Sequence, residues 1–167
     1  MAKEPDMTVE QFFELLQGQE AGNRRLLGLD LGTKTIGMAI SDSNWSIASS
    51  VYTIRRRKFT PDITAMLEFA KKENVGGLVM GLPLNMDGSE GPRAQATRAF
   101  VRNMRAHTDL PVMFWDERLS SHTADQAMLE ADVTRSKRAR NIDQLAAAII
   151  LQGCLDRLCE VRDGKMR

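Results

Sequence analysis

Three acidic positions, far apart in the chain, could share one piece of chemistry. The first is Asp30, in Gly28-Leu-Asp30-Leu-Gly32, an apolar run that ends at a Gly32-Thr33-Lys34 turn. Side chains alternate between the faces of a strand. Leu27, Leu29 and Leu31 therefore share one face, and Asp30 stands on the other between two residues without side chains. A carboxylate flanked in this way leaves room for a metal ion, or a phosphate held by one, to come close. The second position is Asp116-Glu117-Arg118, at the end of the apolar run Leu110-Pro111-Val112-Met113-Phe114-Trp115. Alternation sends Asp116 and Glu117 to opposite sides, so only one of them can face Asp30. The third is Asp143, in the first turn of a helical pattern that starts at Asn141, a good cap. Each has an ordinary structural explanation: a turn cap for Asp30, a surface ion pair for Asp-Glu-Arg, dipole complementarity for Asp143. Gathered together they would repel, and a divalent cation would relieve that repulsion. An all-oxygen ligand set suits Mg²⁺ or Mn²⁺ over zinc.

The elements that must position these groups read as alternating strands and helices. Strands are expected at Leu26–Leu31, Thr35–Ser41 and Ile47–Arg56, the last rich in β-branched and aromatic residues. Thr60-Pro61 opens a helix with Ile63, Met66, Leu67 and Ala70 at helical spacing, and Asn74 to Gly77 end it. Leu78–Leu82 is wholly apolar, as a central strand covered on both faces would be. Pro83 to Pro92 is a loop at that strand's exit, where open α/β sheets place ligands. A helix from Arg93 to Ala106 turns Ala96, Ala99, Phe100 and Met104 inward and leaves Arg93, Arg98, Arg102 and Arg105 solvated. After the Leu110–Trp115 strand, Ser120 or Ser121 caps a helix to about Glu130. Ala131 to Arg140 is polar and basic with little periodicity. The last helix carries Ile142, Leu145, Ala146, Ile149, Ile150 and Gly153, its small residues allowing close approach to the sheet. The cluster Arg55-Arg56-Arg57-Lys58 is an ordinary solvated loop end or a phosphate contact.

Residues 1–23 read as an N-terminal extension and residues 24–167 as one domain. In the extension, Thr8 caps a helix through Gln17, and Gln11 completes a capping box. With 167 residues the chain is short for two domains. Its 23 basic and 22 acidic residues leave a formal charge of +1, so any nucleic-acid surface must come from local clustering. Cys154 and Cys159 suit buried reduced thiols, not a disulfide or a metal site. No apolar run is long enough for a membrane, and no signal-peptide layout opens the chain. A cytoplasmic location is expected.

The motifs also line up with a known pattern. Gly28-Leu-Asp30-Leu-Gly32-Thr-Lys34-Thr-Ile-Gly37-Met-Ala39 resembles the first motif of the YqgF (RuvX) family, of the ribonuclease H-like superfamily and related to the RuvC resolvases. Gly81-Leu-Pro83-Leu-Asn85-Met-Asp87-Gly88-Ser resembles the second, Asp116-Glu117-Arg118-Leu119-Ser120 the third, and Asp143-Gln-Leu-Ala146-Ala147 the fourth. The match spans about Arg25 to Leu158 in the right order. Thr35 stands where the family often has a basic residue. The resemblance implies a ribonuclease H-like α/β fold, a mixed five-stranded sheet with helices on both faces. It implies Asp30, Glu117 and Asp143 as the catalytic, metal-holding trio, and cleavage of nucleic-acid phosphodiesters. The family is associated with trimming precursor 16S ribosomal RNA and with cutting Holliday junctions, so the partner would be pre-rRNA or branched DNA.

In such a site two Mg²⁺ or Mn²⁺ ions would activate a water and stabilise the leaving oxygen. Asp30 would bridge them, with Glu117 and Asp143 completing their shells. Lys34, Lys137, Arg138 and Arg140 would meet substrate phosphates, and Arg118 would join them or hold the acidic cluster in shape. A junction resolvase would need two active sites and hence a homodimer. Two rival classes compete. A non-catalytic RNA-binding ribosome-assembly factor could keep the same acids. Asp-Leu-Gly-Thr also resembles the phosphate loop of actin-like ATPases and sugar kinases, but those need two lobes and a second Asp-x-Gly turn, which this chain lacks.

Overall fold

The strands on either side of the Gly32-Thr33-Lys34 turn form as β1 (Arg25–Leu31) and β2 (Thr35–Ser41), antiparallel, with Asp30 opposite Gly37. The computed structural model describes residues 6–19, 24–119 and 135–165, with the side chains of 135–144 and 165 outside the described set. β2 continues the meander into β3 (Ala48–Arg55). β4 (Val75–Leu82) and β5 (Val112–Asp116) then add on the other side of β1, both parallel to it. The order β3-β2-β1-β4-β5 makes a mixed five-stranded sheet. Every residue of β4 is buried, as its unbroken apolar run requires.

Two helices cover one face. α2 (Phe59–Lys72) contributes Ile63, Met66 and Ala70, and α3 (Pro92–Met104) contributes Phe100, Val101 and Met104, all packed on Leu27, Leu29, Ile36, Met38 and Met80. The other face takes α1 (Val9–Gln17) and α4 (Arg135–Lys165), which pack on Leu26, Ala39, Val79 and Met113. α1 begins as its capping box predicts. The Thr8 hydroxyl accepts from the Gln11 N–H at 3.1 Å, and the Thr8 N–H donates to Gln11 Oε1 at 2.9 Å. Its Phe12 is fully buried. Among the described residues no helix is long and apolar enough to cross a membrane.

Several expectations fail for identifiable reasons. Gly76 and Gly77 do not end a helix but lie within β4. They are small because α1 and the entry to β1 press on them: a Cβ at Gly77 would sit 2.9 Å from Phe12 Cζ, and one at Gly76 would sit 2.7 Å from Arg24 Cβ. The last helix starts at Arg135, not at Asn141. Residues 135–140 are mostly good helix formers with no breaker, so the helix runs through them. Asp143 is therefore not in a first turn, and dipole complementarity does not account for it. The helix expected after Ser120 lies outside the described residues. Cys154 is buried and free, whereas Cys159 is free and only half-buried.

Gly28 also has a different purpose from the one its place beside Asp30 suggests. A Cβ there would lie 2.7 Å from Leu151 Cβ and 3.0 Å from the Ala147 carbonyl. The room is taken by α4, not by a ligand. Gly28→Ala should push α4 off the sheet and lower unfolding stability by about 1–3 kcal/mol. Urea denaturation checks this, and unchanged stability would mean that α4 is not seated through Gly28.

Candidate active site

β1, β4 and β5 run in the same direction, and their C-terminal ends lie together. Asp30 sits near the end of β1, half-buried. Chain direction changes at Asp116, where a single 3₁₀ turn, Glu117–Leu119, follows β5. That turn separates the two neighbouring acids. Asp116 faces outward to Arg118, whose Nη2 donates to Asp116 Oδ2 at 2.7 Å and whose Nε donates to Oδ1 at 3.1 Å. This guanidinium holds the Asp116 carboxyl below its ordinary range. Glu117 turns inward and meets Asp30, and the two side chains are hydrogen-bonded.

Space for Glu117 comes from Gly81, the β4 residue lying between the two acids. A Cβ at Gly81 would stand 2.5 Å from Glu117 Oε1 and 2.5 Å from Ile150 Cδ1. The carboxyl thus sits over a bare stretch of strand and against an apolar residue of α4. Burial is the largest cause that pushes the Glu117 carboxyl up from 4.5 to about 7. The charge of Asp30 and the hydrogen bond to it add to the rise, Asp116 adds a little, and Arg93 partly offsets them. Two carboxyl groups can hydrogen-bond only when one carries a proton. A proton held between the two acids would relieve their repulsion in this partly dry site. That is the electrostatic state a hard divalent cation would replace, and the all-oxygen donor set fits Mg²⁺ or Mn²⁺.

Of the predicted trio, the structure brings Asp30 and Glu117 together. Position 143 lies in α4, one helical turn ahead of Ala147 and its contact with Gly28, and its side chain is outside the described residues. The same holds for the side chains of Lys137, Arg138 and Arg140, in the first turns of that helix. Lys34 is exposed in the β1–β2 turn. Arg118 is committed to Asp116 and also donates from Nη1 to the Met86 carbonyl at 3.1 Å. It braces the Pro83 to Pro92 loop against the end of β5. That loop is a built turn: the Gly88 N–H reaches the Asn85 carbonyl at 2.8 Å, and Gly88 has φ +89°, which favours glycine.

Two arginines read as solvated are not. Arg93, in the first turn of α3, donates from Nη2 to the Leu31 carbonyl at 2.7 Å and offsets the acids' charge at Glu117. Arg98 is held by both oxygens of Asp6, at 2.7 and 2.8 Å, and by Glu90 at 2.6 Å, and it stacks over Phe114. The sequence signal for Arg93 is its place just after Pro92, the first residue of α3, which aims it back at the strand ends.

A mixed sheet in the order 3-2-1-4-5, with an acidic pair at the end of its central strand, defines the ribonuclease H-like class. A solved structure of the same fold, Thermus thermophilus RuvC in complex with a Holliday junction substrate, matches with a TM-score of 0.50 at 12% identity, over 81% of this chain and 96% of that one. The family model described as RuvX, Holliday junction resolvase, matches residues 24–157. A Chelativorans relative named "Putative pre-16S rRNA nuclease" is 57% identical over 149 residues, 89% of this chain and 93% of its own. A Mesorhizobium japonicum protein of the same name is 58% identical over 138 residues, 83% of each chain. The chain belongs to the RuvX (YqgF) family.

Proposed function

We infer that this protein is a divalent-metal-dependent endonuclease that hydrolyses nucleic-acid phosphodiesters, with precursor 16S ribosomal RNA as its substrate. The observation that carries this is the Asp30–Glu117 pair, two carboxyl groups brought together beside the Gly81 gap at the end of the central strand. The names of relatives at 57–58% identity favour the RNA. The family description favours a second substrate, the four-way DNA junction, and symmetric cutting of a junction would require a homodimer. The enzyme would act in the cytoplasm on its 24–167 domain, with residues 1–23 as an extension.

Asp30 and Glu117 would hold the cation, with Asp143 as the third ligand. When bound, a Mg²⁺ or Mn²⁺ ion supplies an activated water and charge stabilisation for the leaving oxygen. The chain's own residues do the rest. Gly81 and Ile150 fix where the Glu117 carboxyl can sit. Arg93, anchored on the Leu31 carbonyl, keeps a positive charge beside the acids without occupying their oxygens. Arg118 holds the Pro83 to Pro92 loop through the Met86 carbonyl. Lys34, Arg118, Lys137, Arg138 and Arg140 would face the substrate phosphates. The test places a precursor 16S rRNA fragment and a four-way DNA junction side by side with Mg²⁺, Mn²⁺ or chelator. Cleavage of the RNA only with metal is the expected result. Tight RNA binding without metal-dependent cleavage would replace this reading with a non-catalytic assembly role.

A further inference from the structure

The basic run Arg55-Arg56-Arg57-Lys58 is the strongest charged feature that the acidic site leaves unused, and its members are not alike. Arg56 is half-buried. Its Nη1 donates to the Gly32 carbonyl at 2.7 Å, its N–H donates to the Lys34 carbonyl at 2.8 Å, and its guanidinium lies 5.6 Å from the centre of the Phe100 ring. It fastens the β3–α2 connection to the β1–β2 turn. Arg55, Arg57, Lys58 and Lys34 are exposed on that fastened unit. Among the described residues, none of these four side chains has a hydrogen-bond or ion-pair partner. A chain of net charge +1 thus gathers four unpaired cations at one place.

Strand register fixes that place relative to the acids. Asp30 pairs with Gly37 and Gly37 with Thr53, and two residues along Thr35 pairs with Arg55. Paired residues share a sheet face, so Arg55 projects from the same face as Asp30. It lies two strands over and two residues on, about 12 Å away between Cα atoms by strand geometry. Lys34 sits in the turn between. Solvated cations on a loop would each be unremarkable. Four held together by Arg56 at the acid end of the sheet repel one another until an anionic chain lies across them.

We propose that Arg55, Arg57 and Lys58, with Lys34, form a phosphate track that grips the substrate backbone to one side of the cut, a role that rests on the nuclease reading above. Each strand of a duplex carries one phosphate per ~3.4 Å of helix axis, so the track meets the backbone within a few nucleotides of the cleaved bond. Contacts of this kind set position and carry no base information.

The test compares two charge-matched double variants in an Asp30→Asn background, which keeps the probes intact in Mg²⁺. One is Arg55→Gln with Arg57→Gln. The other is Lys71→Gln with Lys72→Gln, exposed at the far end of α2. Binding of a fluorescein-labelled precursor 16S rRNA fragment and of a labelled four-way DNA junction is followed by anisotropy across a salt series. The Arg55/Arg57 variant should bind about tenfold more weakly, with the slope of log Kd against log salt reduced by about 1.5 to 2, as loss of two phosphate contacts requires. The Lys71/Lys72 variant should match its parent. Equal affinity and slope in both variants would overturn the track and leave the nuclease reading standing. Track-dependent binding by a chain whose Asp30 form never cuts would keep the track and overturn the nuclease reading. The probe that shows the loss identifies the nucleic acid that the track serves.

Discussion

Asp30→Asn protein should fold like its parent and lose metal-dependent cleavage, by about 10³-fold or more. Asn has the size of Asp and can hydrogen-bond Glu117, so packing over β1 is kept. What disappears is the charge that would hold a cation against the end of the central strand. Several kcal/mol of charge stabilisation depend on that ion, and each 1.36 kcal/mol is a factor of ten in rate. The same change removes one cause of the raised Glu117 carboxyl. The metal-free variant should therefore be more stable than the parent at pH 8, while being inactive. Cleavage assays in Mg²⁺ and Mn²⁺, together with thermal midpoints in chelator, read both effects. Full activity in Asp30→Asn would remove Asp30 from the mechanism.

Glu117→Gln should separate the pH dependence of the fold from that of the reaction. In the folded chain the Glu117 carboxyl titrates at about 7, against an ordinary 4.5. The native state therefore binds the proton more tightly than the unfolded chain does. The stability this contributes is complete below pH 4.5 and is lost as pH rises through about 7. Asp42, Asp87 and Asp116 are shifted the other way, below 3.8, so their contributions change only in more acid solution. Metal-free parent protein should accordingly lose thermal stability between about pH 5 and pH 8. The Glu117→Gln protein should lose this slope, because a neutral amide replaces the proton-bearing acid. Mg²⁺ or Mn²⁺ at pH 8 should raise the parent's midpoint and leave that of Glu117→Gln where it was. A parent midpoint that is flat across this range would mean that Glu117 is ionised without cost and that the pair does not share a proton.

Local chemistry was legible where neighbours in sequence decide it. Thr8 and Gln11 carry their own capping box, and the β1–β2 hairpin is written in alternating apolar residues around Gly32. The buried run Leu78–Leu82 announces a central strand. The site was half legible. Alternation says that one of Asp116 and Glu117 must face Asp30, the resemblance points to Glu117, and the 3₁₀ turn and the gap over Gly81 are what turn it inward. Gly28 misleads because a glycine beside a carboxylate looks the same whether a ligand or a helix fills the space. Arg98 was illegible for a related reason, since its partner Asp6 is remote in sequence, and Arg93 was signalled only by its place after Pro92. Asn141 is a good cap by type, yet the helix passes through it because the six residues before it favour helix.

The seating of α4 on Gly28 has a consequence in time. Among the described elements α4 is made last, while β1, with Asp30, is made early. Until α4 emerges from the ribosome, Leu26, Ala39, Val79 and Met113 have no cover on that face, and Ile150 is not in place to confine Glu117. Until then the growing polypeptide would hold its acids unassembled. On the nuclease reading above, the site would thus stay silent until α4 is in place.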